Sequence, residues 1–137
     1  MNRIVATLVL LAALSLAAHA QGQEGEVVSP EELVVELPFA AQQCVLPAAP
    51  PKIAEDASYD ALVDAKGRVA KFQEDLEAYR KCLDSTRNDQ GITQGNLVAL
   101  TNAHNYSVEM EQRVADGFNE AVRAYNARVK ETGGEDK

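Results

Sequence analysis

The sequence predicts an all-α protein: a long, coiled-coil-like antiparallel two-helix hairpin, with an extended N-terminal arm tied on by a disulfide. Three observations lead there. Apolar residues recur in alternating steps of three and four from Leu62 to Leu83, the period of a helix that packs along one stripe. A second apolar helical face runs from Leu97 to Val129, after the turn-forming stretch NDQGITQGN at 88–96. Ahead of both helices lies a proline-rich segment that carries one of the chain's two cysteines.

Taken in order, the first element is a leader. Residues 1–20, MNRIVATLVLLAALSLAAHA, place Arg3 before an apolar run from Ile4 to Leu14 and end on the triplet Ala18-His19-Ala20. Those are the charged, apolar and small-residue regions of a secretory signal peptide. The run falls short of the roughly 20 residues that a membrane-spanning helix needs. Gln21 stands where a lipid-anchored form would carry cysteine, so the expected mature chain inserts into no membrane after signal cleavage. Removing Arg3 with the leader takes the formal charge from −8 to −9. Nucleic acid and anionic lipid bind through Lys and Arg, so a chain this acidic is expected to bind neither. A cationic protein, a metal ion or an uncharged partner stays open.

Residues 21–57 fall into three pieces. QGQEGEVV at 21–28 has no periodicity and reads as flexible. SPEELVVELPF reads as a short helix, with Ser29 as N-cap, Pro30 in the first turn, Glu32 as the capping-box partner and Pro38 as its stop. A short extended stretch competes with it, since LVVEL is rich in β-branched residues. From 40 to 57, Pro47, Pro50 and Pro51 hold the backbone extended. An arm of this kind lacks regular backbone hydrogen bonds and needs pinning to stay ordered.

Residues 58–130 make the hairpin, with its turn at about 88–96. Ser58 is the expected N-cap of the first helix, Asp60 favours its dipole, and Asn88 marks its expected end. Gly67 weakens this helix by about 1 kcal/mol relative to Ala. Gly91 and Gly95 are both candidates for positive φ in the turn, and Thr93 is a candidate N-cap for the second helix. That helix is expected to end near Lys130, with 131–137 a disordered tail. The predicted seam takes Leu62, Val69, Phe72, Leu76, Tyr79 and Leu83 from the first helix. From the second it takes Leu100, Met110, Val114, Phe118, Val122 and Tyr125. A turn centred near Gly91 sets Phe72 against Met110, Leu62 to Ala65 against Phe118, and Tyr79 against Ala103 and His104. A hairpin alone has a thin core, so a third element or a second copy is expected to cover it.

Cys82 could be a nucleophile, a metal ligand or a staple. It lies about 100° to one side of the first helix's stripe, toward a flank where the arm carrying Cys44 can lie. In an exported chain with two cysteines, a Cys44–Cys82 disulfide is the expected state. Closing a loop of that length contributes about 4 kcal/mol in the chain-entropy model. A catalytic thiolate needs an electropositive neighbour, for which Lys81 and Arg80 stand near in sequence, but an oxidising compartment works against it. A zinc site needs four ligands, and neither cysteine has a partner at metal-site spacing. His104, the one histidine beyond the leader, reads as a polar intrusion in the seam, bonded to Tyr79 or Glu111. Its functional alternative is a non-covalent haem or metal ligand across two hairpins, with Met110 nearby. The stretch from Asp84 to Gly95 fails as a calcium loop, because Asp89 and Gly95 stand where glycine and glutamate are required. No phosphate-binding glycine loop or G-x-S-x-G occurs, and the carboxylates fall on solvated faces. The reading is non-enzymatic, with no cofactor.

Cys44 in the proline arm, FQEDLEAYRKCLD at 72–84 and HNYSVEMEQRVADGFNEAVRAYNAR at 104–128 resemble a group of small exported proteobacterial proteins. These combine a signal peptide, a Cys–Pro arm and an antiparallel helical hairpin, and have no assigned biochemical role. Tyr79-x-x-Cys82-Leu83 and His104-Asn105, followed by Phe118-Asn119 and Val122-Arg123, carry the resemblance, while Gly117 departs from it. The resemblance implies a paired Cys44 and Cys82 and a Gram-negative periplasm, and implies no activity. The function expected is therefore a periplasmic or secreted structural or protein-binding module with an unidentified protein partner or a second copy of itself. An acidic periplasmic chaperone or adaptor is the alternative, and a haem or metal carrier through His104 follows.

Overall fold

Both long helices start where a hydroxyl side chain can hold their first free amide. Ser58 Oγ accepts from Ala61 N at 3.2 Å, and α1 runs over Tyr59–Ser85, 27 residues. Thr93 Oγ1 accepts from Asn96 N while Asn96 Oδ1 accepts from Thr93 N, at 3.1 and 3.0 Å. This reciprocal box opens α2 over Gln94–Thr132, 39 residues. The computed structural model describes residues 29–133. The expected leader at 1–20, the segment 21–28 and residues 134–137 of the tail lie outside the described residues.

The helix ends differ from expectation by two or three residues. α1 stops at Ser85 because Thr86 turns back onto it, its backbone N and Oγ1 both donating to Leu83 O at 3.1 and 2.8 Å. Among the described residues only Gly91 takes positive φ, 83°, and it reverses the chain. Gly95 is helical instead, in the first turn of α2. At the far end α2 passes Lys130 to Thr132, where Gly133 N donates to Val129 O.

The helices pack antiparallel in the expected register. Tyr79 packs with Leu83, Leu100 and Ala103 near the turn, Leu62 packs with Ala121 at the open end, and the Tyr59 and Tyr125 rings lie 6.3 Å apart. Arg80 and Glu111 close an ion pair between the helices at 2.9 Å, both mostly buried.

The arm departs from expectation at its start. Residues Pro30–Leu33 form one 3-10 turn rather than an α-helix, and Ser29 makes no side-chain cap. Val34 already has extended backbone, as the β-branched pair Val34-Val35 prefers. A second 3-10 turn, Ala41–Gln43, interrupts the arm just before Cys44. Between Cys44 and Ala54 the arm runs without regular structure along the hairpin.

The seam is unevenly filled. Leu62, Phe72, Leu76, Tyr79, Leu83 and Leu100 are buried as predicted. Val69, Met110, Val114, Phe118, Val122 and Tyr125 are only half-buried. The reason lies in what covers each stretch: near the turn the arm's Leu37, Ala41 and Cys44 cap the seam, at the open end its Ile53 and Ala57 pack with Leu62 and Ala121, and between the two the arm only borders the seam as a wall.

Candidate functional site

The site is assembled by pinning the arm at three places. At the first, the arm's backbone crosses the start of α2. A Cβ on Gly95 would collide with the Val34 carbonyl, so glycine is required here for close approach and not for turn conformation. Beside it Asn96 Nδ2 donates to Glu36 O at 2.7 Å, while the same side chain serves the capping box. The second pin is the Cys44–Cys82 disulfide, with Cα atoms 5.7 Å apart and a sequence separation of 38. Cys82 leaves α1 at a half-buried flank position, as the helical wheel predicted. At the third, the Arg128 guanidinium donates to the Glu55 and Ala57 carbonyls, the latter at 2.8 Å, and lies 5.9 Å from the Tyr125 ring centre. A planar, multidentate donor suits two carbonyls at once.

Held at both ends, the arm becomes one wall of a groove of about 990 Å³ along α1 and α2. Val69, Met110, Val114 and Phe118 supply apolar surface, Pro50, Pro51 and Ile53 the arm wall. Charges of both signs border it: Lys52, Arg68 and Arg113 against Glu55, Asp116 and Glu120. Four of the six half-covered seam residues are therefore gathered into one surface. A smaller cleft of about 350 Å³ lies beside the disulfide, between Val45, Pro47, Asp75, Ala78, Tyr79 and Cys82. Burial pushes the Tyr79 phenol above its usual range.

His104 is placed beside the seam without either expected partner. Its Nδ1 is buried and has no hydrogen-bond partner, and Glu111 is taken by Arg80. The His104 carbonyl accepts from Ser107 Oγ at 2.6 Å, which satisfies the hydroxyl of a fully buried serine. Among the described residues no group of three or more His, Cys, Asp or Glu side chains is placed to hold a metal ion.

Sequence reasoning missed Gly95, Asn96 and Arg128 as the residues that position the arm. Asn96 carried a legible signal, standing three residues after the expected N-cap Thr93. Comparison with protein-family models, curated proteins and solved structures finds no match to this chain.

Proposed function

We propose that this chain is an exported, non-enzymatic structural or protein-binding module that offers the arm-lined groove to a protein partner. The observation that carries the reading is the groove itself. Four apolar side chains stay half-covered at the centre of a hairpin sealed near its turn, and a pinned arm keeps that surface open. Contiguous apolar surface rimmed by charge is the usual character of a recognition site. A disulfide suits an oxidising compartment, and no helix among the described residues is long and apolar enough to cross a membrane. The leader-like residues 1–20 and the resemblance to small exported proteobacterial proteins place the module in the periplasm on this reading.

A photo-crosslinking amino acid at Val114 tests it in cells. A discrete polypeptide adduct identified by mass spectrometry is expected there and not from exposed Asp64. Adducts absent at both positions, or identical at both, would remove the reading.

A chaperone or adaptor role is the second reading, and one observation favours it. Leu33, Val34, Val35 and Phe39 are 53 to 80% exposed and stand beside Glu31, Glu32 and Glu36, a surface suited to cationic apolar clients. Suppressed aggregation of a basic model substrate is the expected result. No effect at several-fold excess would eliminate this role.

A further inference from the structure

Resting on the protein-binding reading, we propose that the groove's partner is a second copy of this chain, laid antiparallel along α2. Six groove residues of α2 carry the inference: Tyr106, Met110, Arg113, Gly117, Glu120 and Ala124. They follow one another in alternating steps of four and three, the spacing of a coiled-coil stripe. This stripe lies beside the one that faces α1, sharing Met110 with it, and the chain's own arm borders it as a wall without filling it.

The stripe is self-complementary when run against itself. Antiparallel coiled coils layer each first-type position against a second-type position of the other helix. Here that pairs Tyr106 with Ala124, Met110 with Glu120 and Arg113 with Gly117 of the second copy. Two of these pairs set a large side chain against a small one, the condition for interlocking layers. Each pair occurs twice about the two-fold axis, as an isologous interface requires.

Charge follows the same symmetry. Arg113 faces the second copy's Gly117, between that copy's Asp116 and Glu120. On the flank, Glu109 falls opposite Arg123 of the other copy. Asp116 meets its own counterpart near the axis, and the two Arg113 guanidiniums bracket that like-charged pair. Among the described residues Arg113 has only an exposed approach to Glu109 at 4.0 Å and a Tyr106 ring 5.9 Å away, which leaves its guanidinium able to reach across.

Gly117 is the independent observation. It is helical and exposed, a Cβ there would meet nothing within 4 Å, and glycine weakens a helix interior. No contact inside the chain requires it. In the paired arrangement it leaves room for the Arg113 stem in the central layers.

Sedimentation equilibrium on the exported, disulfide-bonded chain tests the pairing with a charge-reversal cycle. Wild type is expected to dimerise at micromolar concentration. Arg113→Glu and Glu120→Arg, each alone, should raise the dimer Kd at least about tenfold, because like charges then face each other. The double variant R113E/E120R should bind itself more tightly than either single variant, because opposite charges face each other again, while the unchanged Asp116 pair keeps it weaker than wild type. Circular dichroism of the monomers should stay unchanged, since both residues are exposed. A wild-type monomer at these concentrations, or a double variant as weak as the singles, overturns the proposal. If that monomer still gives a foreign polypeptide adduct at Val114, the second copy is excluded and the protein-binding reading stands. Loss of both results removes both.

Discussion

The half of the hairpin near the turn and the half beyond it are built from the same kinds of side chain but covered to different depths. Leu83 and Leu100 have no exposed surface, and Tyr79 and Ala41 close around them. Farther along, Leu62, Ala65 and Phe72 of α1 are buried as well, but Val69 beside them and Met110, Val114 and Phe118 of α2 stay half-buried. Helix–helix packing is common to both halves, so it does not explain the difference. The arm does: it packs into the seam near the turn and, through Ile53 and Ala57, at the open end, and between them it passes as the wall of a groove. One irregular segment thus completes a core at each end of the hairpin and leaves an open groove between them.

The largest effect is expected from releasing that segment. Replacing both cysteines by serine removes the second pin while leaving no thiol to mispair. The loss is about 4 kcal/mol by the chain-entropy account of a loop of this length, read as a lower urea midpoint. Far-UV circular dichroism should change little, because both helices have their own caps. Amide exchange should quicken over residues 37–54 and at Leu83 and Leu100. Unchanged exchange at those two leucines would mean that the arm does not seal the turn half.

Truncating one side chain in each half compares their packing directly. Leu83→Ala leaves a cavity in a sealed cluster and should cost about 3 kcal/mol. Val114→Ala removes methyl groups that are already partly hydrated and should cost about 1 kcal/mol or less. Equal losses in urea unfolding would show that the groove is closed in solution.

Glycine substitutions sharpen the same contrast with opposite signs. Gly95→Ala places a methyl against the Val34 carbonyl, so the arm must shift, at about 2 kcal/mol. Gly67 is helical with open space around it, and Gly67→Ala should stabilise by about 0.5 to 1 kcal/mol. Thermal melts of the two variants should move in opposite directions. A Gly95→Ala melt at or above the wild-type value would put the first pin elsewhere.

What could be read from the sequence follows the range of the interactions. Caps act within three or four residues, and Ser58 and Thr93 were both legible. The stripe of α1 is periodic, and so was its burial. The wheel placed Cys82 on a flank, which is where the disulfide meets it. The rest of the arm's course was not legible, because its first and third pins reach backbone carbonyls across 60 to 73 residues. Carbonyl acceptors exist at every residue, so Asn96 and Arg128 leave no mark in composition or period. Gly95 misled for a related reason: glycine marks both turns and close approaches, and only the neighbouring backbone distinguishes them. A thin core was expected, but which seam residues stay half-covered was illegible for the same cause, since Val114 and Leu100 look alike until the arm's path is known.

Alkaline pH should act on the sealed half through Tyr79. This ring is 7% exposed, and burial raises its pKa above the ordinary value of 10.0 because it disfavours the phenolate. The folded chain therefore holds the proton more tightly than the unfolded one. The contribution to stability is complete below the unfolded-state pKa and is lost as pH rises through the folded-state pKa. Urea midpoints should accordingly fall as pH rises above about 10. Lysines also titrate there, so the informative quantity is the difference between wild type and Tyr79→Phe, which keeps the ring and removes the proton. The wild-type midpoint should fall more steeply than that of the variant. Parallel curves would mean that the Tyr79 hydroxyl is as hydrated in the folded state as in the unfolded one, and that the turn half is not sealed around it.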